Sequence, residues 1–142
     1  MNSYAAWLLK KLIDGELFMF TVLSFGYDRP RLLSRHKVLV DAGFRVTSVD
    51  NRDDVLQLLK SHRFHILVIG HLVPMEDRNE VASQGKFLQN ARVVFLYKGR
   101  ISKTEVADAV LSVDGSPEDL NSTILWLVRG NLEDVEPSTN AV

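Results

Sequence analysis

Five short apolar runs, separated by longer amphipathic segments, constrain the fold of this chain more than any other feature. The runs occupy residues 20–25, 45–49, 64–69, 92–97 and 109–113. Three of them are almost continuously apolar and rich in β-branched or aromatic residues, which is typical of strands buried on both faces of a parallel sheet. The runs therefore predict five strands with helices covering both sides of the sheet.

Helix signals lie between the runs, in segments 31–42, from 51 onward, 76–89, from 102 onward and 117–129. Asp53 and Asp54 suit the positive end of the second helix. Residues 102–105 form a capping box ahead of Val106 and Ala109, and Ser116-Pro117 supplies an N-cap and first-turn proline for the last helix, which Gly130 ends. Five successive βα units predict an α/β fold, a doubly wound five-stranded parallel sheet of flavodoxin-like type.

The two ends of the chain differ from this regular pattern. Residues 2–14 predict an extra helix with Leu8 and Leu12 on its apolar face. Residues 131–142 carry three acidic residues and little to bury, which predicts a flexible tail. The expected organisation is an N-terminal helical extension over 1–18, a single domain over 19–130 and the tail.

Composition excludes several classes of protein. The 142 residues include 17 basic and 18 acidic side chains and no cysteine, so a disulfide scaffold, a cysteine metal site and a thiol nucleophile are excluded. Near-neutral charge argues against nucleic-acid binding, which needs a basic face. The apolar stretch over 5–25 is interrupted by four charged residues and does not suit a membrane span or a secretory signal. A cytoplasmic protein is expected.

Ligands of open parallel sheets bind at the carboxyl ends of the strands, so the residues after each run are the candidate site. Neither a glycine-rich phosphate loop nor a serine elbow occurs there. His62 and His65 straddle a predicted helix end and strand start, and His71 lies in a loop without a predicted acid beside it. These histidines predict no metal site, and no cofactor is expected.

Four short motifs in these connections occur in the order and spacing of one known family. They are Tyr27-Asp28-Arg29-Pro30, the stretch 49–55 with its acidic helix start, Ile69-Gly70-His71-Leu72-Val73-Pro74, and Pro117-Glu118-Asp119-Leu120. Over about residues 19–129 the chain resembles the receiver domain of two-component response regulators. The resemblance implies a flavodoxin-like fold and a role in phosphorelay signal transduction.

The same resemblance implies that the reactive positions have been lost. The family's phosphorylated aspartate corresponds to Gly70, and one of its paired acids to Tyr27, which leaves only Asp28. The Ser or Thr after strand four corresponds to Tyr97, whose ring is expected to fill the empty pocket. The conserved Lys corresponds to Val113 or Asp114.

Phosphotransfer needs a carboxylate nucleophile and several oxygen ligands for Mg²⁺. The chain therefore resembles a pseudo-receiver that is not an enzyme. The remaining carboxylate, Asp28, is expected to cap the next helix or to pair with Arg29 or Lys98.

A protein interface is the function that the remaining features favour. At 100° per residue Trp126 falls opposite the core stripe of the last helix, with Leu125 to one side. These two residues, with Leu8 and Leu12, are the candidate interface, and a homodimer through the last helix is expected. The tail is too short for an output domain, so a stand-alone domain acting on a separate signalling partner is expected.

Two alternatives remain open. One is a small flavodoxin-like enzyme or nucleotide-binding protein that uses the carboxyl ends of the strands, because this architecture supports many functions. The other is an amphipathic membrane anchor over residues 2–14, which only two lysines support.

Overall fold

The computed structural model describes residues 20–99 and 106–132 of the chain. The described residues form five strands and four helices. The strands are β1 (Thr21–Phe25), β2 (Arg45–Val49), β3 (Ile66–Ile69), β4 (Arg92–Tyr97) and β5 (Ala109–Ser112), and the helices are α1 (Arg29–Asp41), α2 (Arg52–Ser61), α3 (Met75–Gln89) and α4 (Pro117–Leu132).

The strands form one parallel sheet in the order β2-β1-β3-β4-β5. Phe25 lies opposite Ile69 across β1 and β3, and Ile69 lies opposite Phe95 across β3 and β4. Both faces of these three central strands are buried, as their apolar runs predicted. The predicted fold class, a doubly wound α/β sheet, is confirmed.

Each face of the sheet is covered by two helices. Helices α1 and α4 pack on one face, and the buried residues of that layer include Val22, Leu39, Phe44, Val68, Val94, Ile124 and Val128. Helices α2 and α3 pack on the other face, with Leu23, Phe25, Val55, Leu59, Leu67, Val81 and Phe95 among the buried residues. Because side chains alternate along a strand, each buried strand supplies both layers.

Local signals set most helix ends. The Asn51 side chain accepts a hydrogen bond from the Asp54 N–H at 2.8 Å, which caps α2 as the sequence predicted. Asn90 ends α3 in the left-handed conformation, with a φ of 56°. Helix α4 continues through Gly130 to Leu132, two residues past the predicted stop.

One predicted helix is wrong where the structure describes it. Residues 106–108 are not helical, and Ala109 begins β5, as the apolar run 109–113 predicted. The Asp108 carboxylate accepts a hydrogen bond from the Val93 N–H at 2.7 Å, and the Asp108 N–H donates to the Val93 carbonyl at 2.7 Å. Pairing with β4 thus overrides the helix signal.

Several sequence predictions fall on other parts of the chain. The predicted N-terminal helix, with Leu8 and Leu12, and the capping box over 102–105 lie outside the described residues, as does the tail from 133 onward. Within 20–99 and 106–132, none of the helices is long and apolar enough to cross a membrane.

Candidate functional site

The predicted site positions share the edge formed by the carboxyl ends of the strands. Gly26 follows β1 and Gly70 follows β3, and the Gly70 N–H donates to the Phe25 carbonyl at 2.8 Å. Tyr97 ends β4 and Val113 follows β5. The parallel topology therefore brings these positions together.

The space beside the two glycines is filled by a guanidinium group. A Cβ atom at position 70 would lie 3.3 Å from the Arg35 Nη2 atom, and a Cβ at position 26 only 2.9 Å from it. Arg35 reaches this place from α1, where its Nε donates to the buried Ser24 hydroxyl at 2.9 Å and its Nη2 to the Phe25 carbonyl at 3.4 Å. Arg35 rather than Tyr97 thus lies against Gly70, and the expectation that Tyr97 fills this space is wrong.

Arg35 is a partly buried cation that makes no salt bridge with a carboxylate of the described residues. The pKa of its guanidinium is lowered to about 10, chiefly by burial and also by Arg31, while Asp28 partly opposes the effect. Both of its hydrogen bonds to the described residues go to neutral oxygens. The site holds a positive charge at the place where the resemblance implies a nucleophilic carboxylate.

Asp28, the one retained acid, caps α1. Its Oδ1 accepts from the Arg31 N–H at 3.4 Å, and its Oδ2 pairs with Arg31 Nε at 3.2 Å. Of the two predicted roles, capping is confirmed, and the ion pair that Asp28 makes is with Arg31, three residues on, instead of Arg29 or Lys98. Arg29 pairs with Asp50 at 2.7 Å instead.

Tyr27 lies partly exposed at the edge and is bound to α3. Its hydroxyl donates to Asp77 Oδ2 at 2.7 Å, and its ring meets the Phe25 ring edge-on at 5.3 Å. Burial and the hydrogen bond to Asp77 raise the pKa of the Tyr27 hydroxyl to about 12. The contact connects the β1–α1 loop to the start of α3.

The β5 positions supply no cation to this edge. The Val113 N–H donates to the Tyr97 carbonyl at 2.8 Å, and its side chain packs against the core. Asp114 is exposed, and its N–H donates to the Ser112 hydroxyl at 3.1 Å.

The sequence analysis missed a second partly buried arginine. Arg78 on α3 donates to the carbonyls of Val73 and His71 at 2.7 Å and of Leu96 at 3.1 Å. Its guanidinium also lies 5.7 Å from the centre of the Phe95 ring. Arg78 therefore closes the β3–α3 loop onto β4. The sequence signal for this residue is a basic side chain near the start of a helix, where it opposes the helix dipole and is therefore unfavourable unless it makes other contacts.

The edge of the sheet is electropositive around His71. Burial lowers the pKa of the His71 imidazole, and Arg31, Lys98, Arg78 and Arg35 lower it further, in that order. The ring is therefore neutral at neutral pH. Over residues 20–99 and 106–132, no three His, Asp or Glu side chains form a group that could hold a metal ion.

His62 and His65 have separate partners. The His65 Nδ1 atom accepts from the Thr21 N–H at 3.2 Å, whereas the His62 Nδ1 atom lies 2.8 Å from the Ser61 hydroxyl. The two rings serve different local structures, as their predicted positions indicated.

The candidate interface on the last helix reduces to one described residue. Trp126 is 64% exposed, whereas Leu125 is only 4% exposed and belongs to the core under α4. Leu125 is therefore wrong as an interface residue, because α4 buries a wider face than the predicted stripe. The other two candidates, Leu8 and Leu12, lie outside the described residues.

Solved structures share this fold, although no protein-family model and no curated protein matches the chain. A receiver domain protein (CheY-like) from Methanospirillum hungatei has a TM-score of 0.68 at 19% identity, over 80% of this chain and 98% of that chain. A response regulator receiver protein from Sinorhizobium medicae has a TM-score of 0.69 at 20% identity, over 78% and 94%. The N-terminal domain of a response regulator/sensory box/GGDEF three-domain protein from Carboxydothermus hydrogenoformans has a TM-score of 0.71 at 12% identity, over 81% and 98%.

Proposed function

We propose that this chain, which has the fold of response-regulator receiver domains, is a degenerate receiver. It passes a signal through contact with a protein partner, without enzymatic activity and without phosphorylation of an aspartate. The observation that carries the proposal is the Arg35 guanidinium, whose Nη2 atom lies 3.3 Å from the position of a Cβ at Gly70. Position 70 has no nucleophile, and the adjacent positive charge opposes the binding of a divalent cation.

The nearby acids support this proposal because other groups already engage them. Asp28 caps α1 and pairs with Arg31, and Asp77 accepts a hydrogen bond from Tyr27. A hard divalent cation needs several oxygen ligands. These contacts would have to break before either carboxylate became a free ligand.

Besides this contact with a separate partner, we propose that the chain forms a homodimer through α4. Trp126 projects from the outer face of this helix and is 64% exposed. Aromatic residues often supply the central anchors of protein interfaces. Among the described strands, β5 is an edge strand whose side chains are only partly buried.

The phosphorylation half of the proposal is tested by incubating the full chain with acetyl phosphate and Mg²⁺, followed by mass spectrometry. A competent receiver domain in the same buffer serves as the positive control. No aspartyl phosphate is expected on this chain. A stoichiometric, base-labile adduct on any aspartate contradicts the proposal.

The dimer half is tested by sedimentation at micromolar concentration. The full chain is expected to be a dimer and Trp126→Ala a monomer. Phe87→Ala is the matched control, because Phe87 is an 83% exposed aromatic residue on α3, on the other face of the sheet. A monomeric parent protein, or equal dimerisation of both variants, contradicts an interface at Trp126.

A further inference from the structure

A cavity of about 380 Å³ lies between α1 and α4, beside the carboxyl ends of β4 and β5. This volume is within the range of about 300–1,000 Å³ that is typical of small-molecule sites. Most of its surface is apolar, and the apolar side chains that line it include Val38, Leu96, Leu111, Val113 and Leu120.

Two arginines and one histidine line the same cavity. Arg31 and Arg35 contribute from α1, and His71 contributes from the loop after β3. One carboxylate, that of Asp119, also lines the cavity, but its Oδ2 accepts from the Ser116 N–H at 3.2 Å at the start of α4. With a neutral imidazole at His71, the charged side chains that line the cavity sum to one positive charge.

Arg35 supplies a second observation that points to an anionic ligand. Its Nε and Nη2 atoms donate to neutral oxygens, and Nη1 makes no hydrogen bond with any residue in the described ranges. A partly buried charge that makes no salt bridge is unfavourable, and a bound anion offsets part of that cost. Lys98 and Arg78, which also lower the pKa of His71, add to the positive potential at this end of the cavity.

We propose that this cavity binds a small organic monocarboxylate with an aromatic or branched apolar body. The carboxylate group contacts the guanidinium groups of Arg31 and Arg35, and the apolar body packs against Leu111 and Val113. Binding of this ligand does not depend on the proposed signalling role, and the two fail in different experiments.

The probe that tests the proposal is naphthalene-2-carboxylate, titrated into the ¹⁵N-labelled full chain and followed by NMR. Saturable shifts are expected for the backbone amides of Val38, Leu111 and Val113. The neutral analogue naphthalene-2-methanol has the same ring system and is expected to bind at least threefold more weakly. Shifts that do not saturate, or equal affinity of the two probes, overturn the proposal.

Two pairs of variants locate the site on the protein. Ser34 is exposed on α1 and lines the cavity, so Ser34→Phe is expected to abolish binding, whereas Ser83→Phe on α3 leaves it unchanged. Arg31→Gln is expected to weaken binding about two- to fivefold, as suits a half-exposed cation, and Lys37→Gln on the same helix has no effect. Unchanged binding in both Ser34→Phe and Arg31→Gln overturns the proposal.

Discussion

Gly70→Asp places a carboxylate beside the Arg35 guanidinium, and we expect this variant to be more stable than Gly70→Asn without gaining phosphorylation. Gly70 has no positive φ, so an aspartate fits its backbone conformation. A Cβ there would lie 3.3 Å from Arg35 Nη2 and 3.4 Å from the Phe25 carbonyl oxygen. The new side chain therefore meets a cation before it meets any other group.

The size of the effect follows from the burial of Arg35. Burial lowers the pKa of its guanidinium from 12.5 to about 10, so keeping the group charged in the folded state costs about 3 kcal/mol at neutral pH. A hydrogen bond between charged groups contributes about 1.5–3 kcal/mol. Crowding at the Phe25 carbonyl and the loss of side-chain entropy of the aspartate reduce this stabilisation. A net stabilisation of about 1 kcal/mol over Gly70→Asn is expected at pH 7.

The pH dependence has a definite sign. Arg35 lowers the pKa of an aspartate at position 70, so the added stability is present above about pH 4, the ordinary pKa of the side chain. It is lost as the pH falls through the lowered value. Asparagine has the same shape as aspartate but no charge, so Gly70→Asn is expected to show no such loss of stability at low pH.

Urea denaturation of the full chain measures these differences, and acetyl phosphate labelling measures the chemistry. Gly70→Asp is expected to remain unlabelled, because Arg35 holds the carboxylate and Tyr27 stands in place of the second acid. A Gly70→Asp variant that is less stable than Gly70→Asn at pH 7, or that is labelled stoichiometrically, refutes this reasoning.

Three further predictions concern the fold. Val68 is fully buried, so Val68→Asp is expected to cost several kcal/mol of a total free energy of unfolding of about 5–15 kcal/mol. The variant should show no cooperative thermal unfolding by circular dichroism, and a melting curve like that of the parent contradicts this prediction. Gly85→Ala places a Cβ 2.6 Å from Leu67 Cδ2. It is expected to lower the free energy of unfolding in urea by about 1–2 kcal/mol, although alanine has the better helix propensity. The exposed control Gln84→Ala should cause no such loss, and a stabilised Gly85→Ala refutes the contact. The pKa of His65 is lowered by burial and by Arg63. As the pH falls, the unfolded chain therefore binds a proton at this histidine at a higher pH than the folded chain does, and the stability decreases from about pH 7.5 to 5.5. His65→Asn, which keeps an acceptor for β1, reduces this fall, and a urea midpoint equal at both pH values in the parent contradicts it.

The buried strands were predictable because their signal is local. Runs such as 64–69 and 92–97 contain enough β-branched and aromatic residues to specify strands buried on both faces, and the connections between them carry ordinary capping residues. Five βα units then permit few topologies. The fold class therefore follows from pattern alone.

Residues 106–109 show where two local signals disagree. A capping box predicted a helix carrying Val106 and Ala109, whereas the apolar run 109–113 predicted a strand, and Ala109 pairs with Val94 of β4. Asp108 strengthens this pairing through both its carboxylate and its backbone N–H. At Ala109 the strand signal, supported by contacts across the sheet, therefore decides the structure.

Gly70 and Arg35 separate the two sources of information. The sequence alone shows that position 70 carries no side chain and therefore no nucleophile. Arg35 belongs to an amphipathic helix, and the residues next to it in the sequence do not indicate that its guanidinium lies beside Gly70. That contact joins residues from α1 and the end of β3, and it forms because parallel pairing brings the ends of β1 and β3 together under the helix. Helices and strands arise from neighbouring residues, whereas the charge at this site comes from packing between distant segments.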